Sequence, residues 1–319
     1  MADDVIPAYS DSPVGCRIVM YRLSQDITGL QPPEGIPMNR SDPVLITGCS
    51  SGIGAATAAH LIRHGHTVYA TARRPETLAA LAEMGCTTIA LDVTDEESMS
   101  TAVAAVEAEH GAIGALVNNA GYSQSGAVES IPLDDLRRQF ETNVFGLVRM
   151  CQLALPGMRR AGRGRIVNIG SMGGKLTFPG GGAYHATKYA VEALSDAMRF
   201  EVQGFGVQVV LVEPGLITTE FATAATSSMS GLDTDGPYRR FNDTVAETTD
   251  SIYRSPVAKI LGGGPEDVAK RVHKALAASR PRPRYTVTAS AKLTIAQRRL
   301  TPDRIWDLAM RTQFPVPGS

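Results

Sequence analysis

Cysteine is scarce in this chain of 319 residues, and it is scattered. Cys16, Cys49, Cys86 and Cys151 show neither the paired spacing of a metal site nor the density of a disulfide framework. That excludes a small cross-linked secreted scaffold and predicts a reducing, cytoplasmic setting. An excess of either charge is also missing. Lys and Arg number 31 against 32 Asp and Glu, for a net charge of −1. No electrostatic case arises for nucleic acid or for an anionic membrane. No apolar run is long enough to span a bilayer, so stable membrane insertion is not expected. Asp3 and Asp4 open the chain where a signal peptide would carry basic residues. No internal repeat is evident.

The composition that remains, 43% hydrophobic and 20% charged, is ordinary for a globular protein. Residues 1–42 carry Pro7, Pro13, Pro32, Pro33 and Pro37 with no sustained period. They are expected to form a disordered extension, and Met38 is a candidate alternative start. From Pro43 the chain alternates short β-rich runs with helical stretches. Strands are expected at Val44 to Thr47, Thr67 to Thr71, Thr87 to Leu91, Ala115 to Val117, Arg165 to Ile169, Val207 to Val212 and Tyr285 to Thr288. Helices are expected at Ala55 to Arg63, Glu76 to Met84, after the cap Asp95, at Asp134 to Met158 and at Ala183 to Gln203. This rhythm predicts an α/β fold, a doubly wound parallel sheet of seven strands with helices on both faces. The catalytic domain is expected over 43–289. Residues 216–264, rich in Thr, Ser, Gly and Asp, break the rhythm and are expected to form a substrate lid. Residues 290–319 are expected to form a helical tail, with an amphipathic piece at Ile305 to Met310.

Three features carry chemistry. First, Gly48, Gly52 and Gly54 lie between a strand and a helix. In that context glycines let the backbone approach a pyrophosphate, and the helix N-terminus offers N–H groups and a favourable dipole. Second, the next strand ends in Thr71-Ala72-Arg73-Arg74. NAD-binding sheets usually place a carboxylate there for the ribose hydroxyls. Two guanidiniums and no carboxylate favour a phosphate instead, and so NADP over NAD. Third, Tyr184 and Lys188 stand four residues apart, one turn along a helix. The lysine charge favours the phenolate and moves the tyrosine pKa from about 10 toward working pH. Each feature alone has an ordinary structural explanation: a tight turn, a solvated arginine pair, a packed tyrosine beside a surface lysine. Their ordered combination is what points to function.

These motifs resemble the short-chain dehydrogenase/reductase superfamily in its single-domain branch, over about Val44 to Thr219, and implies a Rossmann fold. The hydroxysteroid and retinol dehydrogenase side is the nearest in flavour. The resemblance implies catalytic roles for Asn143, Ser171, Tyr184 and Lys188. It implies a dinucleotide held by Gly48, Ser50, Ser51, Gly52, Ile53 and Gly54, by Arg73, by Asp92 and Val93, and by Asn119, Ala120 and Gly121. Tyr184, Lys188, Pro214, Gly215, Ile217 and Thr219 complete that set. Gly170 departs from the second serine common in relatives, and Gly180-Gly181-Gly182 is expected to loosen the loop before Tyr184.

The expected activity is NADP(H)-dependent interconversion of an alcohol and a ketone or aldehyde on an apolar, steroid-, retinoid- or lipid-like substrate. Alternatives are a general xenobiotic carbonyl reductase, a non-catalytic NADP-binding sensor or scaffold, and an epimerase or dehydratase. Partners are expected to be a small-molecule substrate and further copies of the chain, as a homodimer or homotetramer, with no nucleic acid. No metal is expected. His60, His64 and His66 might suggest a metal cluster, and His60 and His64 share a helix face, but no carboxylate or cysteine completes a site, and a surface helix end is expected instead. Glu213 is expected to be structural, and Arg159, Arg160, Arg163 and Arg165 a solvated turn.

Overall fold

Alternate residues along each central strand are apolar on both faces, which only a sheet covered on both sides can satisfy. The computed structural model describes residues 38–219, 221–232 and 235–318, so the expected extension over 1–42 lies outside the described residues except for 38–42. Seven parallel strands form one sheet in the order β3-β2-β1-β4-β5-β6-β7. They are β1 Val44–Ile46, β2 Val68–Ala72, β3 Thr87–Ala90, β4 Ala115–Asn118, β5 Gly164–Ile169, β6 Val207–Glu213 and β7 Arg284–Thr286. Val44, Ile46, Ala70, Val117 and Val167 face one apolar layer. Leu45, Tyr69, Leu116 and Ile166 face the other. The first layer packs on helices α1 (Gly52–Arg63) and, late in the chain, Pro265–Ala277. The second packs on α3 (Glu96–His110) and on the two long helical stretches of the middle of the chain. A short α2 (Ala79–Glu83) follows a 3-10 turn at Pro75–Leu78. Strand order reverses between β1 and β4, and a crevice opens beyond their carboxyl ends, where α/β sheets hold ligands.

The helix expected over Asp134 to Met158 has a different internal structure. Helix α4 (Leu133–Phe140) runs through a π turn (Glu141–Gly146) into α5 (Leu147–Arg160). Two contacts hold that turn. Gly146 lies so close to Val93 that a Cβ there would stand 2.4 Å from the Val93 carbonyl oxygen. Asn143 within it bonds to Tyr122. Helix α6 (Gly182–Val202) follows β5.

Residues 216–264 are largely helical: α7 (Phe221–Ser227), α8 (Arg239–Arg254) and α9 (Pro256–Leu261). Their polar composition hides the period because α8 buries only Phe241, Asn242 and Val245. Asn242 makes that face specific, accepting from the Ala127 N–H at 2.9 Å. Helix α10 (Pro265–Ala277) then returns to the sheet. Strand β7 ends two residues earlier than the sequence suggests, because Thr288 turns to cap α11 (Ala289–Leu300), accepting from Ala291 N–H at 3.1 Å. Helix α12 (Asp303–Arg311) buries Trp306 and Met310.

The basic turn is not wholly solvated. Arg165 is buried and donates to the carbonyls of Ala275, Leu276 and Ala278 at 2.6, 2.6 and 2.8 Å, the unsatisfied end of α10. Glu213 is buried, accepts from Thr286 at 2.8 Å and lies 3.4 Å from Arg284. Among the described residues no helix is long and apolar enough to cross a membrane.

Candidate active site

The turn after β1 is shaped by crowding. Gly48 has φ of 72°, and a Cβ there would stand 2.9 Å from the Ala120 Cα. A Cβ at Gly54 would stand 2.2 Å from the Gly48 carbonyl oxygen. The turn is stitched to the end of β4. Thr47 Oγ1 accepts from the N–H groups of Asn119 and Ala120, both at 3.0 Å. Asn119 Nδ2 donates to the carbonyls of Thr47 and Gly48, both at 2.9 Å. Asn118 extends the stitch sideways, donating to Asn168 at 2.9 Å, and Asn168 donates in turn to Ser195 at 2.9 Å. The outcome is a backbone cradle ending at Ser51, the N-cap of α1, with no acidic side chain in the helix's first turn. An anionic diphosphate fits such a cradle.

One cavity of about 1240 Å³ opens over this cradle. Gly48, Ser50, Ser51, Gly52, Ile53, Arg73, Asp92, Val93, Asn119, Ala120 and Gly121 line it, and so do Ser171, Tyr184, Lys188, Pro214, Gly215, Ile217 and Thr219. Two of the expected site residues do not. Gly54 lies beneath the turn. Asn143 lies behind Gly121, with its Oδ1 accepting from Tyr122 N–H at 3.1 Å and its Nδ2 donating to the Tyr122 carbonyl at 2.8 Å and Thr187 Oγ1 at 3.1 Å. Arg74 does not line the cavity; only Arg73 of that pair does. Asp92 accepts from both Thr94 N–H and Thr94 Oγ1, at 2.9 and 2.8 Å, which fixes the loop beyond β3.

At the centre, Lys188 is buried and its Nζ donates to the Ile169 carbonyl at 2.8 Å. That nitrogen stands 5.7 Å from the Tyr184 ring centroid. Burial lowers the Lys188 pKa to about 8. Burial also pushes the Tyr184 phenol above its ordinary value, opposed by hydrogen bonding with Ser171 and reinforced by Tyr253. In this arrangement burial outweighs the Ser171 hydrogen bond, and the expected lowering of the phenol does not arise. Desolvation acts on both groups, and it disfavours the phenolate and the ammonium alike. Ser171 is set by the 3-10 turn it caps, its Oγ accepting from Gly173 N–H at 3.0 Å.

The three glycines before Tyr184 lie in a crowded place. A Cβ at Gly180 would stand 2.6 Å from Val245, and one at Gly181 would stand 2.7 Å from His185. Gly180 is pressed by α8, Gly181 by His185, and Gly182 has Val128 3.1 Å from its would-be Cβ. His185 is buried and accepts from Phe178 N–H at 3.2 Å, and burial lowers its pKa to about 4. Gly170 is equally confined, with Leu211 and the Val212 carbonyl 3.3 Å from its would-be Cβ.

The far wall was foreseen only in part: Phe221, Ile252 and Tyr253 belong to the expected lid, and Phe178 and the C-terminal residues were not assigned to a site. Phe178, Phe221, Ile252, Tyr253, Trp306, Met310 and Phe314 line the cavity beyond Tyr184. Phe221 lies 5.2 Å from the Tyr184 ring and Phe178 6.0 Å from Trp306, between centroids. The spacing of Trp306 and Met310, one helical turn, was the available signal; where their face docks was not in the sequence.

A family model for short chain dehydrogenases matches residues 42–230. The chain belongs to the short-chain dehydrogenase/reductase family. It is 36% identical over 267 residues to an uncharacterized oxidoreductase, YbbO, of Escherichia coli strain K12, covering 83% of this chain and 92% of that one. It is 34% identical over 274 residues to a 3-ketodihydrosphingosine reductase of Bacteroides thetaiotaomicron, covering 86% and 98%. Among solved structures, a closed serine dehydrogenase complexed with NADP+ is similar with a TM-score of 0.66 and 31% identity, covering 77% of this chain and 94% of that one. As a family member the chain is an oxidoreductase acting on CH–OH groups of a small molecule with a nicotinamide dinucleotide.

Lys188 is cationic below about pH 8 and neutral above it. The kcat/KM for the dinucleotide, which reports groups of the free enzyme, should be level below that pH and fall as pH rises through it. A profile that stays level up to about pH 10, where an ordinary lysine titrates, would show that Lys188 is not the group concerned.

Proposed function

We propose that the chain interconverts an alcohol and a ketone or aldehyde on an apolar, lipid-, steroid- or retinoid-like substrate, with NADP(H) as hydride partner. The observation that carries this reading is one cavity with two characters. The Gly48 cradle lies at one end, the aromatic wall of Phe178, Phe221, Trp306 and Phe314 at the other, and Tyr184 with Ser171 between them. Its volume exceeds the roughly 300–1,000 Å³ that a drug-sized ligand occupies, leaving room for a dinucleotide and an apolar molecule together. The name of the Bacteroides relative, a reductase of 3-ketodihydrosphingosine, supports the same substrate class.

The nicotinamide supplies the hydride chemistry; the side chains place reactants and move one proton. Tyr184 gives its phenolic proton to the forming alkoxide in reduction and takes it back in oxidation. A raised phenol pKa keeps that proton in place at neutral pH, as the reducing direction requires. Ser171 holds the substrate oxygen beside Tyr184. Lys188 would hold the ribose of the bound dinucleotide through its ammonium and would favour the phenolate once the proton has left. The Asn143 amide is occupied by Tyr122 and Thr187, so its contribution is to hold the loop after β4 against α6. Arg73 lines the cavity at the end of β2 and is assigned to the phosphate that distinguishes NADP. Residues 216–264, with α12, form the substrate wall. A sensor without turnover is disfavoured because Tyr184, Lys188 and Ser171 are all present and adjacent.

Pairing of two copies through α4–α5 and α6 belongs to the same reading. Phe145 and Phe200, on those stretches, are 55% and 75% exposed, and such faces mark interaction sites. Light scattering should give a multiple of the 33.9 kDa chain mass and a smaller assembly for Phe200→Glu; a single-chain mass for the unaltered protein would refute the pairing.

NADPH oxidation followed against ketones of increasing chain length tests the reaction and its substrate class. Tyr184→Phe should lose about 10²- to 10⁴-fold in kcat. Trp306→Ala should lose about 10- to 100-fold in kcat/KM for long apolar ketones and little for short ones. Unchanged turnover in Tyr184→Phe would end the acid–base assignment, and a preference for small polar ketones would favour a general carbonyl reductase. Arg73→Ala should raise the KM for NADP by about 10- to 100-fold, the weight of a charge-assisted hydrogen bond, and leave that for NAD nearly unchanged. Equal effects on both cofactors would remove the NADP assignment.

A further inference from the structure

Helix α1 begins at the dinucleotide cradle and ends in histidines. His60 and His64 lie one turn apart, and their rings stack with centroids 4.2 Å apart. Packing of α10 on α1 delivers His273, 213 positions from His60 in the chain, onto the same spot. Its ring meets His60 and His64 edge-on at 5.2 and 4.7 Å. Ring nitrogens of the three, one from each, all lie within 4.8 Å of one another. His60 Nε2 and His273 Nδ1 are 3.2 Å apart. Two ligands of a tetrahedral ion with bonds of about 2.0–2.1 Å stand about 3.3 Å apart.

The surroundings orient these rings as ligands are oriented. His64 Nδ1 lies 2.7 Å from the His60 carbonyl oxygen, which fixes a proton on Nδ1 and leaves the Nε2 lone pair free. Glu266, on the first turn of α10, brings its Oε2 to 3.5 Å from His60 Nδ1 and has the same effect on His60 Nε2. Arg63 steadies Glu266 at 3.0 Å. The carboxylate and the third histidine that the local sequence lacked are thus supplied from a distant helix. A fourth imidazole, His66, packs edge-on against His273 at 5.2 Å. Its buried Nδ1 has no hydrogen-bond partner among the described residues.

We propose that His60, His64 and His273 form a site for one late first-row dication of the zinc, cobalt or nickel kind, with Glu266 as the outer carboxylate. Three imidazoles select such ions over magnesium or calcium, which require oxygen ligands. His64 is exposed, so the fourth position opens to water. The site stands at the opposite end of α1 from Gly52, about 18 Å away by helical rise. Its effect is therefore on the fold: the ion pins α1, which carries the cradle, to α10.

The test uses the untagged, chelator-treated full chain. Zinc titrated by calorimetry should bind at one ion per chain, and cobalt should give the intense visible bands of four-coordinate geometry. His273→Ala and His64→Ala should each weaken zinc binding by at least about tenfold, and Glu266→Gln by about tenfold, as loss of an outer partner does. Zinc should raise the thermal midpoint of the unaltered chain but not of His64→Ala. His64 is exposed, so its replacement leaves the fold intact even if His273→Ala does not fold. Failure of the unaltered chain to bind an equivalent of zinc, or undiminished binding by His64→Ala, would overturn the site and leave the cluster as hydrogen-bonded neutral imidazoles.

Discussion

The close approach of the turn after β1 to the end of β4 is the constraint on which the rest depends. Gly48 and Gly54 have no side chains because each would collide with main chain. Thr47 and Asn119 then satisfy the groups that this approach leaves exposed, with four hydrogen bonds in a small volume. Once β1 and β4 are fixed in this way, the strand order reverses between them and the crevice lies over the turn. The Asn118–Asn168–Ser195 relay carries the same alignment across to β5 and α6. Ser171 follows β5 and Tyr184 stands on α6, so the position of the reactive pair is inherited from the stitch at the sheet's centre.

Electrostatics at Tyr184 and Lys188 is governed by burial more than by mutual attraction. The sequence shows a lysine one turn from a tyrosine and invites the conclusion that the phenol is acidic. The fold places both out of water, and the Lys188 ammonium turns toward the Ile169 carbonyl. Each group is thereby shifted toward its neutral form. A neutral phenol and a lysine poised to lose its charge near neutrality suit an enzyme whose charge distribution is completed by what it binds.

Legibility in the sequence followed the physics of each element. Buried parallel strands announce themselves, since Val44-Leu45-Ile46 or Val209-Val210-Leu211 admits little else. All seven strands were readable to within a residue or two. The glycine turn and Tyr184–Lys188 were readable because steric and chemical demands fix residue type and spacing locally. Three things were not. Helix α8 carries its buried face on so few apolar residues, Phe241 and Val245 with Asn242 between, that its period drowns among Thr, Asp and Glu. The π turn depends on tertiary contacts of Gly146 and Asn143, not on local propensity. His60 and His64 looked incomplete because their third partner arrives from α10, and no local window contains both.

The aromatic wall has a consequence for how this enzyme can change. Trp306, Met310 and Phe314 come after every strand and after every residue assigned to the proton transfer. Under the proposed function most of the substrate wall is thus written apart from the residues of the proton transfer, Phe178 between Ser171 and Tyr184 being the exception. Helix α12 packs through a small apolar cluster of its own, distinct from the two layers that hold the sheet. Selection can rewrite that last helix, exchanging one hydrophobic shape for another, while the cradle and the reactive pair stay untouched. Under that reading the chain can change its substrate by editing its margin.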